Sequence, residues 1–464
     1  MLACWVCSGL GGTSFADCVE EDLVLNTEPV SERRAHMAWC KEACFGMFVH
    51  WGLYSACNMD CWQMFDMGTP VKEYIETLEP KFTGKNFDAK ELVGLAKAGG
   101  CKYMVMGTRH HEGYCLWDTA TTDFSSVKRV PKRDFIAEYV EAAREAGIMV
   151  GFYYSLLDWR YQAYWDGPRK NPTAWEKFVD YVHAQMRELM TNYGKIDIVW
   201  FDGGWAPARN VWGFKEQHEV AVRAKAWRSR ELVKMVKELQ PDIVINERTL
   251  LPGDYTVAEK WYQKIDRPWE FCDTMGYYWG RSTQDLDRKS TRALLDRLIY
   301  SVAHNGNFML NVGPKADGSL VGWQVKRMRE LGQWLANHGE AIYGCKGEAE
   351  DEPQPPINMP DLTLAPWYTT CKGNTFYLNL LRYPGESFGV GNLHDFHFIS
   401  AELLDTGKKL QIIHEPTRDV ISAMPKRSPD PLACVVKIKV RKKTRAEVNK
   451  QQYVGLANPD ELLG

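Results

Sequence analysis

The stretch IDIVWFDGGW (196–205) ends an apolar run, Ile196 to Phe201, with a carboxylate, Asp202, and two glycines. Such a run reads as a strand buried on both faces. A charge at its end must face something that needs it, because an unpaired buried carboxylate is costly. The glycines permit a sharp turn and close approach of a ligand to the backbone. Other apolar segments end in comparable groups: His50-Trp51, Arg109-His110-His111-Glu112, Tyr153-Tyr154-Ser155 with Asp158-Trp159 beyond, and Asn246-Glu247-Arg248. Imidazole and guanidinium groups hydrogen-bond hydroxyls, and aromatic rings cover the apolar face of a sugar, so the set suits a pocket for a small polyol. A glycosidic bond there is broken by two carboxyl groups, one ionised at the anomeric carbon and one protonated at the leaving oxygen. Asp202 suits the first role by position. Any one of these histidines is as well explained as a hydrogen-bonded structural residue; the recurrence of polar and aromatic groups at five strand ends is not. The same His50, His110, His111 and Asp202 also admit a zinc site, although adjacent His110 and His111 would face opposite sides of an extended segment.

The elements that must position these groups alternate along the chain. Strands are expected at 45–51, 102–111, 147–155, 196–204, 242–248, 269–274 and 307–314, with helices at 89–100, 133–147, 174–194, 226–240 and 294–306. Repeated strand–helix units without a glycine-rich phosphate signature suggest an α/β fold, a (β/α)8-like, TIM-type barrel over 40–347 with its active site at the C-terminal strand ends. The acidic, Pro-rich stretch 348–360 reads as a linker. Period-two segments over 361–445 read as a C-terminal antiparallel β-sandwich. Residues 446–464 read as a polar tail, and 1–39 as an N-terminal segment with at best a degenerate leader, since it lacks a positively charged start.

Composition narrows the class. With 57 basic and 60 acidic residues the net charge is −3, so nothing points to nucleic acid, and no apolar run spans a membrane. The 18 Trp fit both sugar stacking and large aromatic cores. Thirteen Cys cannot all pair within the chain, and Cys40, Cys44, Cys57 and Cys61, though spaced as two C-x3-C pairs, flank an apolar strand and read as buried thiols rather than a zinc site.

FGMFVHWG, KFTGKNFDAKELVGLAKAGGCKYMV, TRHHEGYCLWDT, FYYSLLDW, VWFDGGW and FMLNVGPKADGS closely resemble the retaining α-L-fucosidases of glycoside hydrolase family 29 over roughly residues 40–345. The resemblance implies a barrel followed by a β-sandwich, and hydrolysis of terminal α-L-fucosyl linkages of a glycan or glycoconjugate through a covalent fucosyl-enzyme, with no metal or organic cofactor. It implies that Asp202 is the nucleophile and that His50, His110, His111, Tyr154, Trp200 and Arg248 hold the fucose ring, with Trp51 and Trp62 lining the pocket. The acid/base position varies in the family; Glu259 in GDYTVAEKW is the first choice, Glu270 in RPWEFCDT the second, and Glu247 the third. Many members carry Glu before the pocket Trp, where this chain has Cys61-Trp62, which leaves Asp60 as a substitute. The family favours an extracytoplasmic place, and a homo-oligomer is open. Two other readings stand beside this one: a metal-dependent barrel hydrolase, and a non-catalytic fucose-binding protein.

Overall fold

A computed structural model describes residues 36–57, 59–206, 220–263, 265, 267–347, 366–391, 396–415, 418–444 and 447. The expected linker, 348–360, lies outside these residues, as do nearly all of the expected N-terminal segment and polar tail.

Eight parallel strands form the first sheet: β1 (Phe45–Val49), β2 (Tyr103–Arg109), β3 (Met149–Ser155), β4 (Ile198–Asp202), β5 (Val244–Ile245), β6 (Thr256–Glu259), β7 (Trp269–Thr274) and β8 (Gly306–Val312). They pair in the order β5-β4-β3-β2-β1-β8-β7-β6. The two ends, β5 and β6, meet through a parallel bridge between Asn246 and Tyr255 and the bond from Asp254 N–H to the Ile245 carbonyl at 2.7 Å. The sheet therefore curls into a (β/α)8-like barrel.

All seven expected strands lie in this sheet: 269–274 keeps its bounds, five others shift or shorten by a few residues, and DIVINER supplies only the two-residue β5. The eighth, β6, falls in TVAE, which is too short and too mildly apolar to read as a strand alone. No described α-helix separates β5 from β6 or β6 from β7, and a single 3-10 turn, Glu247–Thr249, follows β5. The expected helices appear as Ala89–Ala98, Phe135–Ala146, Pro172–Asn192, Ser229–Leu239 and Thr291–Ala303. Four of the five starts are explained by local chemistry: the side chains of Asp88, Asp134, Asn171 and Ser290 each accept a backbone N–H of the first turn, whereas Ser229–Leu239 has no side-chain cap. The helix Gly322–His338 was not expected. No described helix is long and apolar enough to cross a membrane.

The second unit is a seven-stranded antiparallel sheet, ordered β11-β14-β13-β12-β15-β10-β9. Its strands are β9 (Trp367–Lys372), β10 (Thr375–Leu380), β11 (Ser387–Gly391), β12 (Phe396–Leu403), β13 (Lys409–His414), β14 (Arg418–Ser422) and β15 (Cys434–Lys442). Trp367 on one edge strand and Phe388 on the other have ring centroids 5.4 Å apart. The sheet thus folds over its own core, as a sandwich does. Alternation divides the side chains of β10 and β15. Phe376, Leu378, Leu380, Val436 and Ile438 fill that core, whereas Tyr377 and Val435 join the core of the barrel.

Candidate active site

Strand register sets the floor of the site. Tyr153 pairs with Trp200 and Ser155 with Asp202, so alternation sends all four to the barrel interior and turns Tyr154 outward. Asp202 is buried and held at both oxygens. The Tyr153 hydroxyl donates to Oδ2 at 2.9 Å and Arg248 Nη1 donates to Oδ1 at 3.0 Å. Arg248 stands in the short turn after β5, and its other nitrogen, Nη2, donates to Glu259 Oε2 at 2.9 Å. One guanidinium therefore touches the carboxylates that end β4 and β6. Its central carbon also lies 5.1 Å from the Trp200 ring centroid, which fixes its plane.

Three imidazoles surround this group, and burial keeps all three neutral. It pulls His50 and His111 down to about 3 and His110 well below its ordinary value. The tautomers of two follow from their partners. The Asn311 amide nitrogen donates to the Trp279 carbonyl at 2.6 Å, so its Oδ1 faces His50 Nδ1 at 2.7 Å as an acceptor. The Ser155 hydroxyl donates to the Leu157 carbonyl at 2.8 Å and must accept from His111 Nδ1 at 2.7 Å. Both rings then carry hydrogen on Nδ1 and offer Nε2 as an acceptor. His111 Nε2 lies 3.7 Å from Asp202 Oδ2 and has no hydrogen-bond partner, a position suited to a ligand hydroxyl. His110 stacks on Tyr153, with ring centroids 5.4 Å apart and planes within 9°. Its buried Nδ1 is 3.7 Å from Glu112 Oε2. The buried Glu112 carboxyl has no hydrogen-bond partner, and burial pushes it up to about 8.

Aromatic rings wall the space on two sides. Trp62 and Trp205 lie 5.1 and 5.6 Å from His111 and stack on each other, with Trp159 behind them. On the other side Trp279 lies 5.0 Å from His50.

Several expected residues lie elsewhere. Tyr154 is turned away: its hydroxyl donates to Gln185 Oε1 at 2.9 Å on the helix Pro172–Asn192, and Tyr153 occupies the place beside Asp202. Trp51 packs among Phe82, Phe87 and Phe135 and donates to the Lys315 carbonyl, so it fills the layer between barrel and helices rather than the pocket. Glu270 lies deep in the barrel. It is level with Val257, two residues below Glu259 on the neighbouring strand, and accepts from the Tyr103 hydroxyl at 2.6 Å and Trp200 Nε1 at 3.1 Å. Burial lifts it to about 7 against those two bonds. Both Glu247 oxygens accept the Val257 N–H, which ties the turn carrying Arg248 to β6. Cys61 is fully buried, and Asp60 Oδ1 accepts the N–H groups of Cys61 and Gly280 at 2.7 and 2.9 Å, so that oxygen is committed to backbone.

His110 and His111 follow β2 in a turn rather than an extended segment, and their rings lie side by side at 4.1 Å. The four strand-end groups considered for zinc do not converge to ligating distance. Among the described residues only His338, Asp405 and Asp430 do so. Tyr153, Trp205, Trp279 and Asn311 were missed as pocket residues. Strand alternation alone singles out Tyr153, because it shares parity with Ser155 and register with Trp200; Trp279 and Asn311 meet His50 only through tertiary folding.

The family model described as Alpha-L-fucosidase matches residues 19–340. The tissue alpha-L-fucosidase of Bos taurus is 29% identical over 395 residues, covering 79% of this chain and 78% of its own. Alpha-L-fucosidase isoenzyme 1 from Paenibacillus thiaminolyticus is 31% identical, with a TM-score of 0.76 and coverage of 88% of this chain and 99% of its own. An alpha-L-fucosidase of the same glycoside hydrolase family, GH29, from Bacteroides thetaiotaomicron was solved as a trapped covalent intermediate with 2-fluoro-fucosyl fluoride. It is 26% identical with a TM-score of 0.75, over 88% of this chain and 96% of its own.

Proposed function

Because the chain belongs to the α-L-fucosidase family, we propose that it is a retaining exo-glycosidase that releases terminal α-L-fucosyl groups from glycans or glycoconjugates, with Asp202 as nucleophile and Glu259 as acid/base. The observation that carries this assignment is Arg248, which joins the carboxylates of Asp202 and Glu259 through adjacent nitrogens. A shared guanidinium favours the short separation of a retaining pair, roughly 5–5.5 Å, over the roughly 6.5–9.5 Å that an inverting pair needs for an intervening water.

The two steps follow from the geometry. Tyr153 and Arg248 orient Asp202 towards the anomeric carbon, and its oxygen attacks as the bond to the leaving oxygen breaks. Glu259 gives its proton to that leaving oxygen once the substrate displaces the Arg248 N–H from it. With the aglycone gone, Glu259 takes a proton from water, and the water opens the fucosyl–Asp202 ester with net retention. His50 and His111 accept sugar hydroxyls at Nε2, and Trp62, Trp200 and His110 shape the pocket. Glu270 supports the site by fixing the Trp200 indole. Its depth and two committed bonds favour that part over proton transfer to a leaving group at the rim.

The test is to inactivate the protein with 2-deoxy-2-fluoro-α-L-fucosyl fluoride and map the adduct by mass spectrometry, while NMR records the first anomer released from an unmodified fucoside. An adduct on Asp202 and an α anomer are expected. An adduct on another side chain, or a β anomer first, overturns the assignment.

A further inference from the structure

Among the described residues, only two Phe, Trp or Tyr side chains are more than half exposed: Trp261 at 66% and Tyr277 at 62%. Leaving such rings in water forfeits a large burial gain, and rings so exposed beside a catalytic pocket suit a binding surface. Both are tied to the turn that follows the carboxylate assigned as acid/base. Trp261 follows Glu259 by two residues, and its N–H donates back to the Glu259 carbonyl at 2.8 Å. The residue between them, Lys260, has φ 61°, a left-handed conformation that a lysine seldom adopts and that strained functional segments do. The chain therefore reverses tightly at the end of β6. Glu259 keeps its carboxylate on Arg248 while Trp261 stands at the rim.

Tyr277 joins the same rim from the loop after β7. Its carbonyl accepts Lys260 Nζ at 3.0 Å, and the ammonium lies 5.4 Å from the Tyr277 ring and 5.3 Å from Trp279. Trp279 in turn lies 5.0 Å from His50. A wall of rings bound together by one lysine thus runs from the fucose pocket outward to exposed Tyr277, past the acid/base.

We infer that Trp261 and Tyr277 form a stacking site for the sugar ring that carries the fucosyl group, so that the preferred aglycone is a pyranose in a glycan. This rests on the fucosidase reading above. The aglycone is the occupant because Tyr277 is joined to the pocket through Lys260 and Trp279, and Trp261 follows by two residues the carboxylate proposed to protonate the leaving oxygen. A pyranose offers an apolar C–H face that such rings cover.

The experiment compares Trp261→Ala, Tyr277→Ala and wild type on two kinds of substrate. α-L-Fucosyl fluoride has no aglycone ring. The methyl glycosides of α-(1→2), (1→3), (1→4) and (1→6) fucosyl disaccharides have one. For the disaccharide that wild type hydrolyses best, the ratio of its kcat/KM to that of the fluoride should fall about three- to tenfold in each variant. An unchanged ratio in both variants overturns the stacking site. An unchanged ratio together with loss of a dimer in light scattering assigns the two rings to subunit contact instead, and also overturns it. Failure of wild type to turn over the fluoride is a separate result and sinks the fucosidase reading itself.

Discussion

Replacing Glu259 and Glu270 by alanine, one at a time, separates the proposed proton donor from the group proposed to support the site. Glu259 ends a strand at the rim with a side chain 36% exposed, and its hydrogen bond is to Arg248. An ion pair so exposed contributes about 0–1 kcal/mol, so Glu259→Ala should fold with little loss of stability. Its chemistry should suffer far more. Loss of a general acid lowers turnover of a sugar aglycone by about 10²–10⁴-fold, whereas fucosyl fluoride needs little protonation and should lose much less. Added azide should restore turnover and yield α-fucosyl azide, because the nucleophile still inverts once and azide inverts again. Glu270→Ala removes the partner of two buried donors, Tyr103 Oη and Trp200 Nε1. Each orphaned group costs about 1–3 kcal/mol, so this variant should be destabilised by about 2–6 kcal/mol. Urea denaturation gives the stabilities, and NMR of the azide product gives the stereochemistry. If Glu259→Ala retains sugar-aglycone turnover while folded Glu270→Ala loses it and azide restores it, the assignment from depth and exposure is refuted.

Other outcomes follow from the same geometry. Asp202→Gly should abolish turnover, and azide with fucosyl fluoride should then give the β product through a single inversion; an α product by NMR would point to another nucleophile. Trp51→Ala should cost about 3–5 kcal/mol in denaturant titrations with KM for fucosides little changed, because Trp51 packs among Phe82, Phe87 and Phe135; a large KM effect in the folded variant would return it to the pocket. Tyr153→Phe should lower kcat/KM, whereas Tyr154→Phe should lose only about 1 kcal/mol of stability with its Gln185 bond; the reverse pattern would invert the strand reading. Between the two domains, burial opposes charge on His338, but Asp405 at 2.6 Å outweighs it and raises the histidine, while His338 helps lower Asp405. The histidine's contribution is full below its unfolded value, about 6.5, and is lost as pH rises through the raised folded value; that of Asp405 is present above about 3.9 and lost as pH falls through its lowered value. Urea midpoints across pH should therefore decline on both sides of that window, and His338→Gln should flatten the alkaline decline.

The barrel was legible because its strands are apolar throughout and its helices are amphipathic, two periods that survive without tertiary information. β6 was not, since four residues of mild hydrophobicity acquire their strand state from pairing with β7. The short β11 and β14 carry as weak a signal, with two and one buried residues respectively. In the site, Asp202 and the histidines were visible as polar groups closing apolar runs. Tyr153 was visible by parity yet passed over for Tyr154, which shows that register outranks motif likeness in deciding which of two adjacent tyrosines faces inward. The partners that set the imidazole tautomers, Asn311 and Ser155, lie 261 and 44 residues from the rings they orient, and no local pattern connects them.

The two-sided character of β10 and β15 has a consequence for anyone dissecting the chain. Tyr377 and Val435 complete the hydrophobic interior of the catalytic unit, Trp334 donates to the Ala433 carbonyl, and Arg292 to that of Leu381. A truncation ending near residue 347 would strip one wall from the barrel and leave those donors facing water. The C-terminal sheet behaves less as an appended module than as a lid cast together with the vessel, and excision or exchange of it would have to carry the helix faces it covers.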